Sequence, residues 1–280
     1  MGINKEQVVA KLRLKVEKYG SQNKAAKSMK GVSPAMVNMM VSGKWDGIGE
    51  GMWRKVAAHV GWTAEGWQAV KTGDFKVLGT LLEKARTESL VFAVTGEAGT
   101  GKSFATRLYA SEHKRAYLLQ CNEFWNRKYF LMEALGAMGR DSSGLTVSDM
   151  MVELVRALKK EENPLIIMDE ADKLSDQVLY FFITLYNQLE DHCGIVLLAT
   201  DHLSKRIRKG LKLNKKGYKE IYSRVNRKFI ELKGVGISDV TQVCMANGVD
   251  DRDVIREIFN DCEGDLRRVK QKVRAYRQGA

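Results

Sequence analysis

Eight consecutive residues concentrate the chemistry of this chain: Gly96-Glu97-Ala98-Gly99-Thr100-Gly101-Lys102-Ser103. The spacing is G-x-x-x-x-G-K-S. Glycines at these positions let the backbone curl until successive N–H groups converge, a geometry that cradles phosphate oxygens. Lys102 is long enough to reach the β- and γ-phosphates of a nucleoside triphosphate, and the Ser103 hydroxyl is a ligand that Mg²⁺ accepts. The pattern has this meaning only between a strand and a helix. Leu90-Val91-Phe92-Ala93-Val94-Thr95 precedes it and reads as a buried strand; residues 104–110 follow and read as a helix. That helix would add its own unpaired N–H groups and partial positive charge. Gly96 through Ser103, with Phe104, are therefore the expected contacts to ATP.

A second stretch supplies acids. Leu165-Ile166-Ile167-Met168 runs into Asp169-Glu170, 67 residues beyond Lys102. A buried strand ending in two carboxylates delivers them to the C-terminal edge of a sheet, where open α/β folds bind ligands. Asp169 and Ser103 are the expected holders of Mg²⁺. Glu170 is the expected residue to polarise the attacking water.

The elements that must position these groups alternate. Strands are expected at 90–95, 116–121, 165–170 and 194–200, and helices at 75–85, 104–110, 129–138, 148–160 and 179–189. That alternation predicts an α/β domain with a parallel, doubly wound sheet flanked by helices. Residues 122–128 read as a turn carrying Trp125, Arg127 and Lys128. Thr63, Gly66, Thr72 and Gly73 mark a linker, and three helices at 238–245, 251–262 and 265–276 close the chain.

The N-terminus differs in kind. Helices are expected at 4–19, 22–29, 33–42 and 51–60, with Ser21 and Ser33 as caps and Pro34 at a first helical position. Two short helices around a glycine turn resemble a repressor-type helix-turn-helix. Gly31 sits one residue late for that pattern, which implies a longer turn. On this reading Ser33 and Asn38 face bases, while Gln22, Lys24 and Lys44 meet phosphates. The expected units are 1–70 (helix-turn-helix), 71–235 (nucleotide-binding core) and 236–280 (small helical lid).

The formal charge is +12. Residues 1–70 hold 11 Lys/Arg against 5 Asp/Glu, and residues 202–228 hold 11 against the single Glu220, whereas residues 234–280 balance. Two concentrated basic regions predict a polyanionic partner, nucleic acid first. Four scattered cysteines give neither a zinc pattern nor a disulfide framework, and no apolar run approaches the roughly 20 residues needed to span a bilayer. No membrane association is expected. A cytoplasmic setting, in a bacterium or a phage-infected host, is.

Taken together, these motifs resemble the AAA+ ATPase superfamily: an AAA+ P-loop NTPase with a small helical lid, preceded by an all-α helix-turn-helix domain. The resemblance implies that Thr200, closing the strand after Asp169-Glu170, is a sensor near the γ-phosphate or the lytic water. It implies that Ser223-Arg224 projects an arginine finger into a neighbour's site, with Arg227 as the alternative. It implies that Arg267, within Gly264-Asp265-Leu266-Arg267-Arg268, is a second sensor. More narrowly, the architecture and the run Tyr218-Lys219-Glu220-Ile221-Tyr222-Ser223-Arg224-Val225 resemble transposition ATPases of the phage Mu protein B type. That resemblance implies a homo-oligomer on duplex DNA with ATP between subunits and little sequence preference, delivering target DNA to a cognate transposase. Arg127, Lys128 and Arg140 are candidate contacts to the DNA backbone, as is the segment with Lys205, Arg206, Arg208, Lys209, Lys212, Lys215 and Lys216. A helicase loader or replication initiator, and an ATP-controlled transcription regulator, stay open on the same residues.

Overall fold

The structure, a computed structural model, describes residues 3–62 and 67–279. Its centre is a five-stranded sheet, all parallel, in the order β2-β3-β4-β1-β5. The strands are β1 (Val91–Thr95), β2 (Ala116–Gln120), β3 (Leu165–Asp169), β4 (Gly194–Ala199) and β5 (Phe229–Glu231). The four expected strands are present. β5 was not expected: three residues carry no periodicity, and this strand is defined by pairing Ala93 with Phe229 and Val94 with Ile230. Asn226 and Arg227, both in the left-handed region at φ 56 and 55, turn the chain into it.

Helices sheathe the sheet on both faces. One layer holds α7 (Arg127–Ala137), α8 (Val147–Lys159) and α9 (Asp176–Leu189), packed through Phe130, Leu131, Leu154, Leu158 and Phe182. The other holds α5 (Gly73–Glu88) and α6 (Lys102–Glu112), packed through Leu78, Leu82, Ala105 and Tyr109. Central strands β3 and β4 are buried at every residue, as a sheet covered on both faces requires. At Gly194 a Cβ would collide with the Ala85 carbonyl of α5, so only glycine lets this helix lie so close.

α10 (Asp201–Lys212) and α11 (Tyr218–Arg224) follow β4, and the chain closes with α12 (Ile237–Ala246), α13 (Arg252–Cys262) and α14 (Leu266–Arg277). The last three enclose Val240, Val243, Ile255, Ile258, Val269 and Val273 as their own core. Trp67 and Val70 also pack into that core, and Asn247 holds the backbone of Gln68 at 2.8 and 2.9 Å. The chain has therefore joined the lid by Trp67, ahead of the expected boundary at 70. Thr63 and Gly66, which mark the expected linker, lie outside the described residues.

The N-terminal unit is α1 (Lys5–Tyr19), α2 (Gln22–Lys27), α3 (Pro34–Val41) and α4 (Glu50–His59), closed around Val8, Leu12, Met29, Val37, Met40, Trp53 and Val56. Asn4, Ser21 and Ser33 cap the first three through their side chains. Residues 28–33 join α2 to α3. This is longer than the three or four residues of a standard helix-turn-helix turn, as the late Gly31 implied.

The unit docks on the core. Lys18 Nζ donates to the carbonyls of Ala110 and Ala116, and the Tyr19 hydroxyl donates to Ala137 O at 2.8 Å. Lys27 pairs with Asp141 at 2.8 Å and Lys30 with Glu133 at 3.6 Å. A Cβ on Gly139, itself at φ 70, would stand 2.8 Å from Lys24 O, so the two backbones touch. Among the described residues no helix is long and apolar enough to cross a membrane.

Candidate nucleotide site

The phosphate loop sits between β1 and α6, as its motif requires. Gly99 and Gly101 have φ 81 and 94, a region that suits glycine. A Cβ on Gly99 would collide with the Asp265 carboxylate. That contact, with Leu266 N donating to Gly99 O at 3.0 Å, seats the start of α14 on the loop. Arg267 is the next residue after Leu266, and it is exposed.

Lys102 Nζ donates to Gly96 O at 2.7 Å and Glu97 O at 2.6 Å, which keeps the ammonium inside the loop. Burial lowers its pKa, while Asp169, Asp172, Glu97 and Asp74 pull the other way. The Ser103 hydroxyl lies near enough to Asp169 to favour its ionised form, so the two expected Mg²⁺ ligands are neighbours. Burial, reinforced by neighbouring Glu170, raises the Asp169 pKa. A divalent cation would offset that cost. Among the described residues no three His, Cys, Asp or Glu form a cage. One hydroxyl and one carboxylate beside a phosphate cradle suit Mg²⁺, which keeps most of its waters and takes phosphate oxygens from its substrate. The residues fit ATP and Mg²⁺.

Glu170 departs from the strand in the left-handed conformation, φ 58 and ψ 39. For a residue with a Cβ this costs roughly 1–2 kcal/mol. The turn swings its carboxylate off the line of β3; Lys173 pairs with it at 2.9 Å. Asp172, two residues on, accepts the Thr200 hydroxyl at 2.9 Å and lies 3.4 Å from the Thr200 amide. Thr200 has one hydroxyl proton and directs it to Asp172, so it offers lone pairs elsewhere. It can accept from a water; it cannot donate to a phosphate at the same time. Asp172 was not among the expected site residues, although it stands three residues after Asp169 in Asp169-Glu170-Ala171-Asp172. Asp74 was missed outright: buried, it accepts from Lys233 N at 3.0 Å and Gly234 N at 2.9 Å, tying the start of α5 to the entry of the lid.

Phe104 is 41% exposed on the first turn of α6, and its ring lies 6.2 Å from Phe75. Residues 85–207 match the family model described as "AAA domain". The fold is that of an AAA+ P-loop NTPase. Among solved structures, the crystal structure of Cdc6p from Pyrobaculum aerophilum is similar to this chain at 17% identity and a TM-score of 0.46. The alignment covers 63% of this chain and 48% of that one, so the chain spans about half of that protein. No curated protein matches the chain.

Around the AAA+ core, the other expected site residues separate into groups. Arg224 ends α11, with its guanidinium 5.1 Å over the Tyr186 ring and Nε donating to Asn187 Oδ1 at 3.2 Å. Arg227 is exposed in the left-handed turn before β5. Arg127 and Lys128, expected in a loop, form the exposed first turn of α7, because Asn126 caps the helix there. Lys205 is exposed on α10 and pairs with Asp201. Lys205, Arg208, Lys209 and Lys212 recur at helical spacing on the exposed side of α10, while Leu203, Ile207 and Gly210 are buried.

Two more basic candidates pair with acids of the chain itself. Arg140 is held by Glu153 at the seam with the N-terminal unit. Arg206 points inward to Asp176, Tyr218 and the Leu174 carbonyl. Each is thus engaged by a carboxylate of the same chain. Ser33 and Asn38 are exposed on α3, although the Ser33 hydroxyl also caps Met36 N at 3.1 Å. Lys24 is exposed as well, but its backbone abuts the core. A cleft of about 940 Å³ opens along that seam; within it Lys27 pairs with Asp141 and both Arg140 and Arg156 pair with Glu153, and no residue of the phosphate loop lines it.

Proposed function

We propose that this chain is an ATP-hydrolysing, DNA-binding AAA+ protein that assembles on duplex DNA with ATP at subunit interfaces. In this reading it delivers target DNA to a transposase, and hydrolysis dismantles the assembly. The observation that carries the shared site is the place of Arg224. It rests on Tyr186 and Asn187, ten and eleven residues into α9 from Asp176. At 1.5 Å per residue this is roughly 15 Å along α9 from Asp176, the end of the helix nearer in sequence to Glu170. An arginine so placed is out of reach of its own γ-phosphate and available to a neighbour's.

Within one site, Lys102 and the loop amides bind the phosphates, and Ser103 with Asp169 would hold Mg²⁺, which neutralises charge building on the transferred oxygens. Glu170 and the Thr200 lone pairs orient the lytic water; Asp172 fixes the Thr200 rotor. Arg267 reaches from the lid and Arg224 from the next subunit. Phe75 and Phe104 offer aromatic faces for the base. The α10 stripe and the first turn of α7 supply phosphate contacts to DNA, which makes binding fall steeply with salt. Ser33 and Asn38 offer a further, helix-turn-helix contact.

Glu170→Gln is the direct test. Turnover should fall on the order of a thousandfold, within the range that a positioned group contributes, with filaments on arbitrary duplex DNA retained in electron micrographs. A protein that stays monomeric with ATP and DNA at low salt contradicts the proposal.

A further inference from the structure

Arg206 lies within a run of basic residues, yet it is wired into the interior. Its Nη1 donates to the Leu174 carbonyl at 2.6 Å and lies 3.4 Å from the Asp172 carbonyl. Its Nε meets Asp176 Oδ1 at 3.1 Å and the Tyr218 hydroxyl at 3.3 Å, and Nη2 meets Asp176 as well. The Tyr218 hydroxyl donates to the same Asp176 oxygen at 2.7 Å. These hydrogen bonds outweigh the effect of burial and lower the Asp176 pKa, so the acid is ionised.

The seat is shaped for this tyrosine. Tyr218 is 2% exposed. A Cβ on Gly210 would collide with its ring, and one on Gly217, at φ 82, would collide with Tyr180. Tyr180 meets Tyr218 edge-on at 6.0 Å. The three polar groups come from three elements. Asp176 opens α9 just after the Glu170 turn, Arg206 is mid-α10, and Tyr218 opens α11, the helix that ends in Arg224.

We propose that Arg206, Asp176 and Tyr218 are positioning residues for Arg224. They lock the start of α11 to the segment 172–176, the continuation of the backbone that carries the subunit's own Glu170. The arginine offered to a neighbour and the carboxylate used at home are thereby referenced to one stretch of chain. This rests on the reading of Arg224 as acting across an interface. The planar guanidinium fork fixes direction as well as distance, which an ammonium or an apolar plug does not. The lever is short and sensitive: α11 is about 10 Å long, so a tilt of about 6° at Tyr218 shifts Arg224 by about 1 Å, enough to cost up to about a hundredfold in rate.

Subunit mixing tests this. A Glu170→Gln subunit can offer Arg224 but not hydrolyse; an Arg224→Ala subunit can hydrolyse only with a neighbour's arginine. Mixed on DNA, they should regain turnover that neither shows alone. Tyr218→Phe removes one hydroxyl and keeps the ring. Added to the Glu170→Gln donor it should lower the regained turnover about tenfold; added to the Arg224→Ala acceptor it should cause no comparable loss. Arg206→Lys, which keeps charge but not the fork, should show the same asymmetry, with nucleotide affinity unchanged. No loss in the donor arm, or equal loss in both arms, overturns the proposal. If Arg224→Ala alone turns over like the parent, the interface reading itself fails and the positioning role falls with it. The control mixture, which has no substitution at these three residues, separates the two failures.

Discussion

Lys102 and Lys18 are both lysines drawn out of water, and their surroundings treat them oppositely. Burial lowers the pKa of each. Around Lys102 four carboxylates, Asp169, Asp172, Glu97 and Asp74, oppose that loss. Around Lys18 there are two carbonyls and another lysine, Lys15, and its pKa falls to about 7. The nucleotide edge thus retains a cation where an anionic ligand will arrive. At the seam burial and Lys15 act together on Lys18, and a neutral amine can stay there as a plain hydrogen-bond donor. The neighbours decide the difference: one region is prepared to bind a charge, the other to hold two units together.

The largest effect that would break this contrast is at Lys102. Lys102→Ala should weaken ATP binding on the order of a hundredfold, the usual scale of a charge-assisted contact, measured with a fluorescent nucleotide. Lys18→Ala should leave that affinity alone. If both weaken it equally, the two regions are not distinct. Next comes Gly99→Ala, which places a Cβ against Asp265 at a left-handed φ. It should weaken ATP about tenfold by lifting the lid from the loop, the scale of a strained substitution; unaltered affinity would deny that α14 is seated there.

The smallest effect concerns pH. The docked Lys18 binds protons less tightly than a free lysine. Docking therefore gains stability as pH rises from about 7 toward 10.5, because the released state holds the extra proton. Lys15, lowered to about 8 by burial, acts in the same direction. Between pH 7 and 9 the thermal midpoint of the wild type should rise relative to Lys18→Met by about 2 °C. A parallel course for the two proteins would remove the seam from the comparison.

What could be read ahead of the structure followed the range of the interactions. The phosphate loop, Asp169-Glu170 and the lid helices are local patterns, and each lies where its spacing implied. The docking of α1 on the core joins Lys18 to Ala110 and Ala116, 92 and 98 residues away, and no local period announces such a contact. Arg206 is an intermediate case. Composition grouped it with the lysines of α10, yet Leu203, Ile207 and Gly210 mark the inner face of that helix, and position 206 borders it. The signal was present and charge counting concealed it. Arg127 and Lys128 likewise belong to a helix because Asn126 can cap one, a cue that the loop reading overlooked.

The claim on which the function turns is that ATP is completed by a second copy of this chain. Turnover per subunit, measured on duplex DNA across a dilution series for the parent and for Arg224→Ala, tests it most directly. A shared site predicts that the parent's specific activity climbs with protein concentration, and that Arg224→Ala stays about a thousandfold lower throughout. A parent whose specific activity is flat on dilution, matched by an Arg224→Ala variant of equal rate, would contradict it.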